Sequence, residues 1–434
     1  MTHLESRGRW NNGHWWFKLT HVCQRWRDLI LGSASYLRLC LVCTNGTPVV
    51  DMLAHSPPLP LVIDYLCLDD DLIEEDEEGI ILALEQRERV RYIRLIIHVS
   101  NLQKLNMAID EEYPTLEYLI LEPPTDDNTA LVLPKTFQAP HLRHLALYGV
   151  ALPIESRLLI TAVGLVTLCL VMSHPSYIQP TVLLRWLSFL PQLENLICFV
   201  PNHDVERQLI QTPTPTHITL PNLRLIGIEG ASAYLEALFG RITTPLLDKL
   251  QIGFFKQVTF SVPWLLQFMD TTKNFRFKRA EFEFYNERVY VEVYPPDAKT
   301  VAFSINVKCW HLDLQVTSVA QIFNALSQMF SAVEHLTFGH EVHRQSSEEH
   351  NVVDRTEWRK LLRSFGNVKT FRINDGLIEE LSRCLRLEDG EHPLEVLPEL
   401  QELSYSGSCD AGDAFTLFTD SRQNAGRPVT LIQL

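Results

Sequence analysis

A short apolar code recurs along most of the 434-residue chain and limits what the chain can fold into. The code sets an apolar residue at one position, a second three residues later and a third two after that. Leu142, Leu145 and Leu147 carry it inside the stretch Pro140-His141-Leu142-Arg143-His144-Leu145-Ala146-Leu147. Further copies open at Val90, Leu116, Leu165, Leu193, Leu223 and Leu247, and again at Val333, Val368 and Leu400. The early copies are spaced by roughly 23 to 30 residues, which is the spacing of leucine-rich repeats. A proline often stands two residues before the first apolar position, as at Pro114, Pro191, Pro221, Pro245 and Pro398.

The last two apolar residues of each copy are two apart, so they share one face of a short strand, and the residue between them points the other way. One such strand cannot bury its face alone, whereas stacked copies build a continuous core. The asparagine common three residues past the last leucine is replaced by Val150, Ser173 and Pro201. The expectation is an α/β chain: an irregular leucine-rich-repeat-like solenoid over 57–434, without an asparagine ladder, its parallel strands lining a concave face. Residues 1–14, polar and glycine-containing, are expected to be disordered.

Composition narrows the functions. The chain is 46% hydrophobic with a formal net charge of -15. That charge disfavours nucleic acid and anionic membrane as partners. The nine cysteines are odd in number and scattered, which suits a reducing compartment, cytoplasmic or nuclear. Cys40 and Cys43 form a lone C-x-x-C within an apolar stretch and are expected to pack in the core. No signal-peptide-like run opens the sequence, and the uncharged stretch from Leu158 to Ser173 is too short to span a bilayer. Asn45-Gly46-Thr47 reads as a turn.

Before the repeats, an amphipathic helix is expected from Phe17 to Gly32. Leu19, Val22, Cys23, Trp26, Leu29 and Ile30 fall on one face of a 3.6-residue period, the face expected to be buried. A strand from Tyr36 to Val42 follows, then a helix capped by Thr47-Pro48, then a strand at Leu61-Val62-Ile63. The acidic run from Asp69 to Glu78 reads as the start of a helix, as the macrodipole favours. Later helices are expected at 182–190, 232–239, 263–269 and 358–365, and another behind a Ser318/Gln321 capping box. Residues 275–310 break the code: 281–285 and 289–293 alternate with period two around Asn286-Glu287-Arg288, a hairpin insertion followed by a strand to Trp310.

Leu19-Thr20-His21-Val22-Cys23-Gln24-Arg25-Trp26-Arg27-Asp28-Leu29 resembles the second half of an F-box. The continuations 39–48 and 59–64, and Gly426-Arg427-Pro428-Val429 at the terminus, resemble the F-box proteins abundant in mushroom-forming fungi. The resemblance implies a non-enzymatic substrate-recognition subunit of an SCF-type ubiquitin ligase. Leu19, Val22, Cys23, Trp26 and Leu29 would then meet a Skp-type adaptor, and the repeats would hold a protein substrate. The Leu-Pro half of the motif is absent, so residues 15–56 are expected to be an F-box remnant truncated at its N-terminus. The alternative is a leucine-rich-repeat scaffold that recruits no ligase.

The code also predicts a binding face. Its outward central row is Ile120, Ala146, Cys169, Ile197 and Gly227, then Thr337, Arg372 and Ser404. The next row is Glu122, Tyr148, Val171, Phe199 and Glu229, then Gly339, Asn374 and Ser406. The second half is polar; the first half is apolar, and a contiguous apolar patch marks an interaction site. Ile120, Ala146, Tyr148, Val171, Ile197 and Phe199 are therefore the expected partner surface, rimmed by His144 and Glu229. No catalytic motif, metal site or cofactor site is expected. Gly339-His340-Glu341-Val342-His343 lacks H-E-x-x-H spacing, and the basic-aromatic run Lys273 to Arg279 adjoins Glu281, Glu283 and Glu287.

Overall fold

Each copy of the code folds into an opening turn and a strand. In the turn, the amide of the first apolar residue donates to the carbonyl three residues back. This recurs at Leu116 to Tyr113, Leu142 to Ala139, Leu193 to Leu190, Leu223 to Leu220, Leu247 to Thr244 and Leu400 to Leu397. Proline two residues before that leucine occupies the second turn position, where its fixed φ is already correct. The computed structural model describes residues 15–34, 36–67, 72–124, 131–172, 177–200, 217–255, 262–272, 275–296, 300–340, 353–387, 391–406 and 415–434. The chain divides into two units, Met1–Pro201 and Asn202–Leu434.

The first unit contains β1 (Leu41–Cys43), β2 (Leu61–Leu66), β3 (Val90–Ile96), β4 (Tyr118–Glu122), β5 (Leu131–Val132), β6 (His144–Tyr148), β7 (Val150–Ala151), β8 (Thr167–Val171) and β9 (Asn195–Phe199). β1, β2, β3, β4, β6, β8 and β9 pair in chain order, each parallel to the next, while β5 and β7 form a separate short parallel pair. The register stacks the code. Ile93, Leu119, Leu145, Leu168 and Leu196 are successive partners, and Leu95, Leu121, Leu147, Leu170 and Cys198 form the second row. Both rows are fully buried. Helices Glu74–Glu85, Val99–Asn106, Arg157–Thr161 and Pro180–Leu187 lie between the strands and bury apolar stripes such as Ile80, Ala83 and Leu84, or Leu183, Leu184 and Leu187. The acidic run does begin a helix, with Glu74, Glu75, Asp76 and Glu77 in its first turn. The Asp76 carboxylate accepts from the Gly46 amide at 2.9 Å and so holds the Asn45-Gly46 turn, where Gly46 has φ +73°.

The second unit contains β10 (Ile218–Thr219), β11 (Leu225–Gly230), β12 (Ile242–Thr243), β13 (Lys249–Phe255), β14 (Arg279–Tyr285), β15 (Arg288–Tyr294), β16 (Phe303–Lys308), β17 (His335–His340), β18 (Thr370–Ile373), β19 (Glu402–Tyr405) and β20 (Thr430–Gln433). Its sheet runs β11-β13-β16-β15-β14-β17-β18-β19-β20 and is parallel except where β15 meets β16 and β14. The hairpin and the strand after it are thus built into the sheet within this unit. Phe282, Phe284, Phe323, Phe330, Phe338, Trp358 and Phe365 pack around them in mostly tilted and edge-on ring contacts. The chain is therefore an α/β protein whose largely parallel sheet strands alternate with helices, a pattern consistent with a leucine-rich-repeat-like array.

Three local expectations need correction. The N-terminal helix is two helices, Trp15–Thr20 and Gln24–Gly32, because Cys23 is extended and caps the second. The strand expected over 36–42 is confined to Leu41–Cys43; residues 36–38 form a turn in which Arg38 sits at φ +51°, and Tyr36 is exposed. Ser318 caps nothing. Its helix starts six residues earlier, at Leu312, where extended His311 is the cap, and Ser318 is buried inside it. Gln315 anchors that earlier turn by donating to the Tyr285 and Cys309 carbonyls.

The last repeat is closed by a buried arginine. Arg422, on the helix Thr416–Asn424, is fully buried and donates to the carbonyls of Leu397, Pro398 and Leu400 at 3.0–3.2 Å. Leu397 has φ +49°, an uncommon conformation for a residue with a side chain, and the guanidinium reinforces this turn beyond its own Leu400-to-Leu397 hydrogen bond. Arg422→Met keeps the aliphatic stem and removes the donors. It should lower stability by about 2–4 kcal/mol, read from the urea midpoint by circular dichroism; an unchanged midpoint would mean the carbonyls find other donors.

Candidate binding surfaces

The residues matched to an adaptor-binding helix do not form a buried face. Among them Leu19 is half-buried, whereas Val22, Trp26 and Leu29 are 60%, 45% and 60% exposed and Cys23 is exposed. The buried-face expectation fails because the break at His21-Val22-Cys23 rotates the two halves out of one helical period. The segment is anchored by Trp16 and Ile30, both buried. The Trp16 indole donates to the Cys40 carbonyl at 3.3 Å, which ties the segment to the residue before β1. Beside it lies a cavity of about 600 Å³ lined by Phe17, Leu41, Pro48 and Met52, with Lys18, Asp51 and His55 among its polar residues.

The outward face of the first unit is laid out in three rows by the strand register. The first row joins Tyr92, Tyr118, His144, Thr167 and Asn195. Tyr118 stacks on His144 with centroids 4.2 Å apart and planes 9° apart, and Tyr92 lies 5.5 Å from Tyr118. The second row is Asp64, Arg94, Ile120, Ala146, Cys169 and Ile197. Asp64 and Arg94 pair at 2.6 Å with both side chains mostly covered. The third holds Ile96 opposite Glu122, and Tyr148, Val171 and Phe199 opposite one another. The expected surface residues Ile120, Ala146, Tyr148, Val171 and Ile197 are half-buried and Phe199 is 36% exposed. They come together as the code predicted. Cys169 Sγ lies 3.7 Å from the Tyr148 hydroxyl. Burial pushes both groups up from their ordinary pKa values, and the nearby Glu122 charge adds to this, so both are neutral at neutral pH.

The outward face of the second unit is polar and internally paired. The Glu229 side chain lies over Gly253, its strand partner, and forms an ion pair with Lys308, whose ammonium sits 4.8 Å from the centre of the Phe255 ring. Glu281 and Glu292 face each other across the hairpin. Like charges opposed in this way repel, and Tyr294 and Arg279 offset the repulsion. The Tyr294 hydroxyl is 2.5 Å from Glu292 Oε2 and 3.3 Å from Glu281 Oε2. Arg279 reaches Glu281 at 3.2 Å and covers the Tyr294 ring at 3.9 Å. Burial first, then the Glu292 hydrogen bond and the two negative charges, raise the Tyr294 pKa, so the hydroxyl stays a donor.

The other chemical candidates resolve into structure. Cys43 is fully buried and burial pushes its thiol up to about 12, while Cys40 is raised for the same reason; neither is a thiolate ready for metal or redox chemistry. Among the described residues no group of three or more His, Cys, Asp or Glu could hold a metal ion, and no helix is long and apolar enough to cross a membrane. His335 pairs with Thr370 at 2.8 Å, and 341–350 lie outside the described residues, as do Asp69 to Asp71 and Lys273. In the basic-aromatic run, Lys278 lies 3.8 Å from Glu334 and Phe277 stacks in the core on Phe330. These arrangements equip the first unit for apolar contact and the second for a charged surface satisfied largely by its own groups.

Sequence reasoning missed two features. The aromatic stack recurs at one repeat position, the residue just before the second code residue, and that periodicity was the available signal. The Glu281–Glu292 pairing was hidden by reading a three-residue loop; the turn is Asn286-Glu287 only, and one residue of register changes every cross-strand partner.

A Cβ on Gly253 would stand 2.5 Å from Glu229 Cγ and 2.9 Å from its Cβ. Gly253→Ala should therefore cost roughly 1–3 kcal/mol in thermal unfolding, and Glu229→Ala in the same chain, which removes Cγ and Cδ but keeps Cβ, should recover part of it. No recovery would mean the Cβ contact, and not the Cγ contact, sets the cost. Compared with known proteins, the chain matches no family model and has no significant match among curated sequences.

Proposed function

We propose that the chain is a non-enzymatic substrate-recognition subunit of an SCF-type ubiquitin ligase, working in the cytoplasm or nucleus. The helices Trp15–Thr20 and Gln24–Gly32 would dock a Skp-type adaptor, and a leucine-rich-repeat-like solenoid would hold a protein substrate on the apolar outward face of its first unit. The observation that carries the reading is the exposure of Val22, Trp26 and Leu29, on a segment whose sequence resembles half an F-box and which is anchored by Trp16 and Ile30. Large apolar side chains left exposed on one short segment are available to a partner. A second reading is favoured by the break at Cys23: the F-box-like residues do not share one helical face, as a scaffold without a ligase would tolerate.

Coexpression of the full chain with a Skp-type adaptor, followed by size-exclusion chromatography, separates the two. Co-elution that is lost in Trp26→Ala/Leu29→Ala supports the ligase subunit. Because Trp26 is 45% exposed, this pair should leave the unfolding midpoint nearly unchanged. Absence of co-elution favours the scaffold.

The substrate face has its own test. Ile197→Asp and Phe199→Asp should each keep cooperative unfolding and abolish capture of a partner recovered with the unmodified chain. Unfolding by either substitution would assign those side chains to the core.

A further inference from the structure

Among the described residues, the outward face of the first unit carries one carboxylate without a counter-ion. Glu122 follows Leu121 on β4 and is half-buried, with Ile96 as its strand partner. On the adjacent strand, Tyr148 follows Leu147, the partner of Leu121. The nearby charges are committed: Arg94 pairs with Asp64, and Arg91 faces Glu117 at 3.8 Å. Among the described residues no hydrogen bond or ion pair reaches the Glu122 carboxylate. Tyr148 and Cys169, the polar groups near it, are themselves held neutral.

A carboxylate set beside apolar side chains loses solvation whenever an apolar partner covers it, unless the partner brings a cation. The rest of the surface is Ile120, Ala146, Val171, Ile197 and Phe199. The chain as a whole, at -15, attracts cationic partners and repels anionic ones. We infer that this face takes an apolar protein segment bearing a lysine or arginine, the cation seated on Glu122 and a large apolar side chain seated on Ile197 and Phe199. The inference rests on the reading of this face as the partner-binding surface. The geometry also sets a spacing. Glu122 on β4 and Phe199 on β9 lie in one row three strand steps apart, about 14 Å at roughly 4.8 Å per step, with Ile197 two residues back along β9. An extended segment crossing the strands spans that in about four residues.

The test uses the full chain as bait for a random peptide library displayed on phage. The selected peptides are then synthesised and their affinities measured by fluorescence polarisation. Peptides carrying Lys or Arg at a constant separation from Leu, Phe or Trp are expected. Their affinity should fall about tenfold or more in Glu122→Gln, fall further in Glu122→Lys, and vanish in Ile197→Asp, with unfolding midpoints unchanged in the Glu122 variants. Peptides that depend on Ile197 but lack a basic residue, or that ignore Glu122→Gln, overturn the inference and leave the face as a binding surface. Recovery of no peptide that depends on Ile197 or Phe199 overturns the surface reading, and the inference with it.

Discussion

Strands β6, β8, β9, β13, β17, β18 and β19 rest on one hydrogen-bonding device at their start. A backbone carbonyl accepts from two consecutive amides of the next repeat. Glu117 serves Arg143 and His144, Arg143 serves Val166 and Thr167, and Val166 serves Glu194 and Asn195. In the second unit Arg224, Lys278, Glu334 and Lys369 each do the same for the strand beside them. These bonds set the register before the strand begins. Once it is set, the two inward rows must stack, since a slip of one residue would turn every leucine to the outside. The missing asparagine ladder is thus no obstacle: alignment comes from the turn and from the fully buried rows Ile93 to Leu196 and Leu95 to Cys198.

This device explains what was legible in the sequence. Leu119, Leu145, Leu168 and Leu196 were readable as a stack because their spacing repeats, and buried apolar rows tolerate few other arrangements. The outward residues followed by parity, so Ile120, Ala146, Ile197 and Phe199 were found with no motif to mark them. Periodicity failed where a single residue decided the path. Cys23, extended, splits a stretch whose apolar spacing fits one helix. Ser318 sits in a helix interior although its spacing to Gln321 imitates a capping box. The partners of Asp76, Gln315 and Arg422 are backbone groups far along the chain, and no local pattern encodes them.

The two outward faces differ in how they meet water. In the first unit, aromatic and aliphatic side chains stand in rows, and the ion pair of Asp64 with Arg94 is mostly covered. In the second, glycines at 253 and 339 leave room that Glu229 and Glu283 side chains fill. A surface that covers its own backbone with charged side chains, as Glu229 does with Lys308, has less to gain from an apolar partner than one that leaves Phe199 in solvent.

The hairpin also bears on the order in which the second unit can assemble. β14 and β15 close a two-residue turn, with Tyr285 opposite Arg288, whereas β13 and β16 bring Leu250 to Phe303. Closing a short loop sacrifices little chain entropy and takes microseconds, while parallel pairs wait for longer loops to close. The antiparallel pair is therefore the natural seed of this unit. β16 adds on one side of it and β17 on the other, so the array can grow in both directions from its middle. The irregular insert that interrupts the repeats would then be the point from which their order spreads.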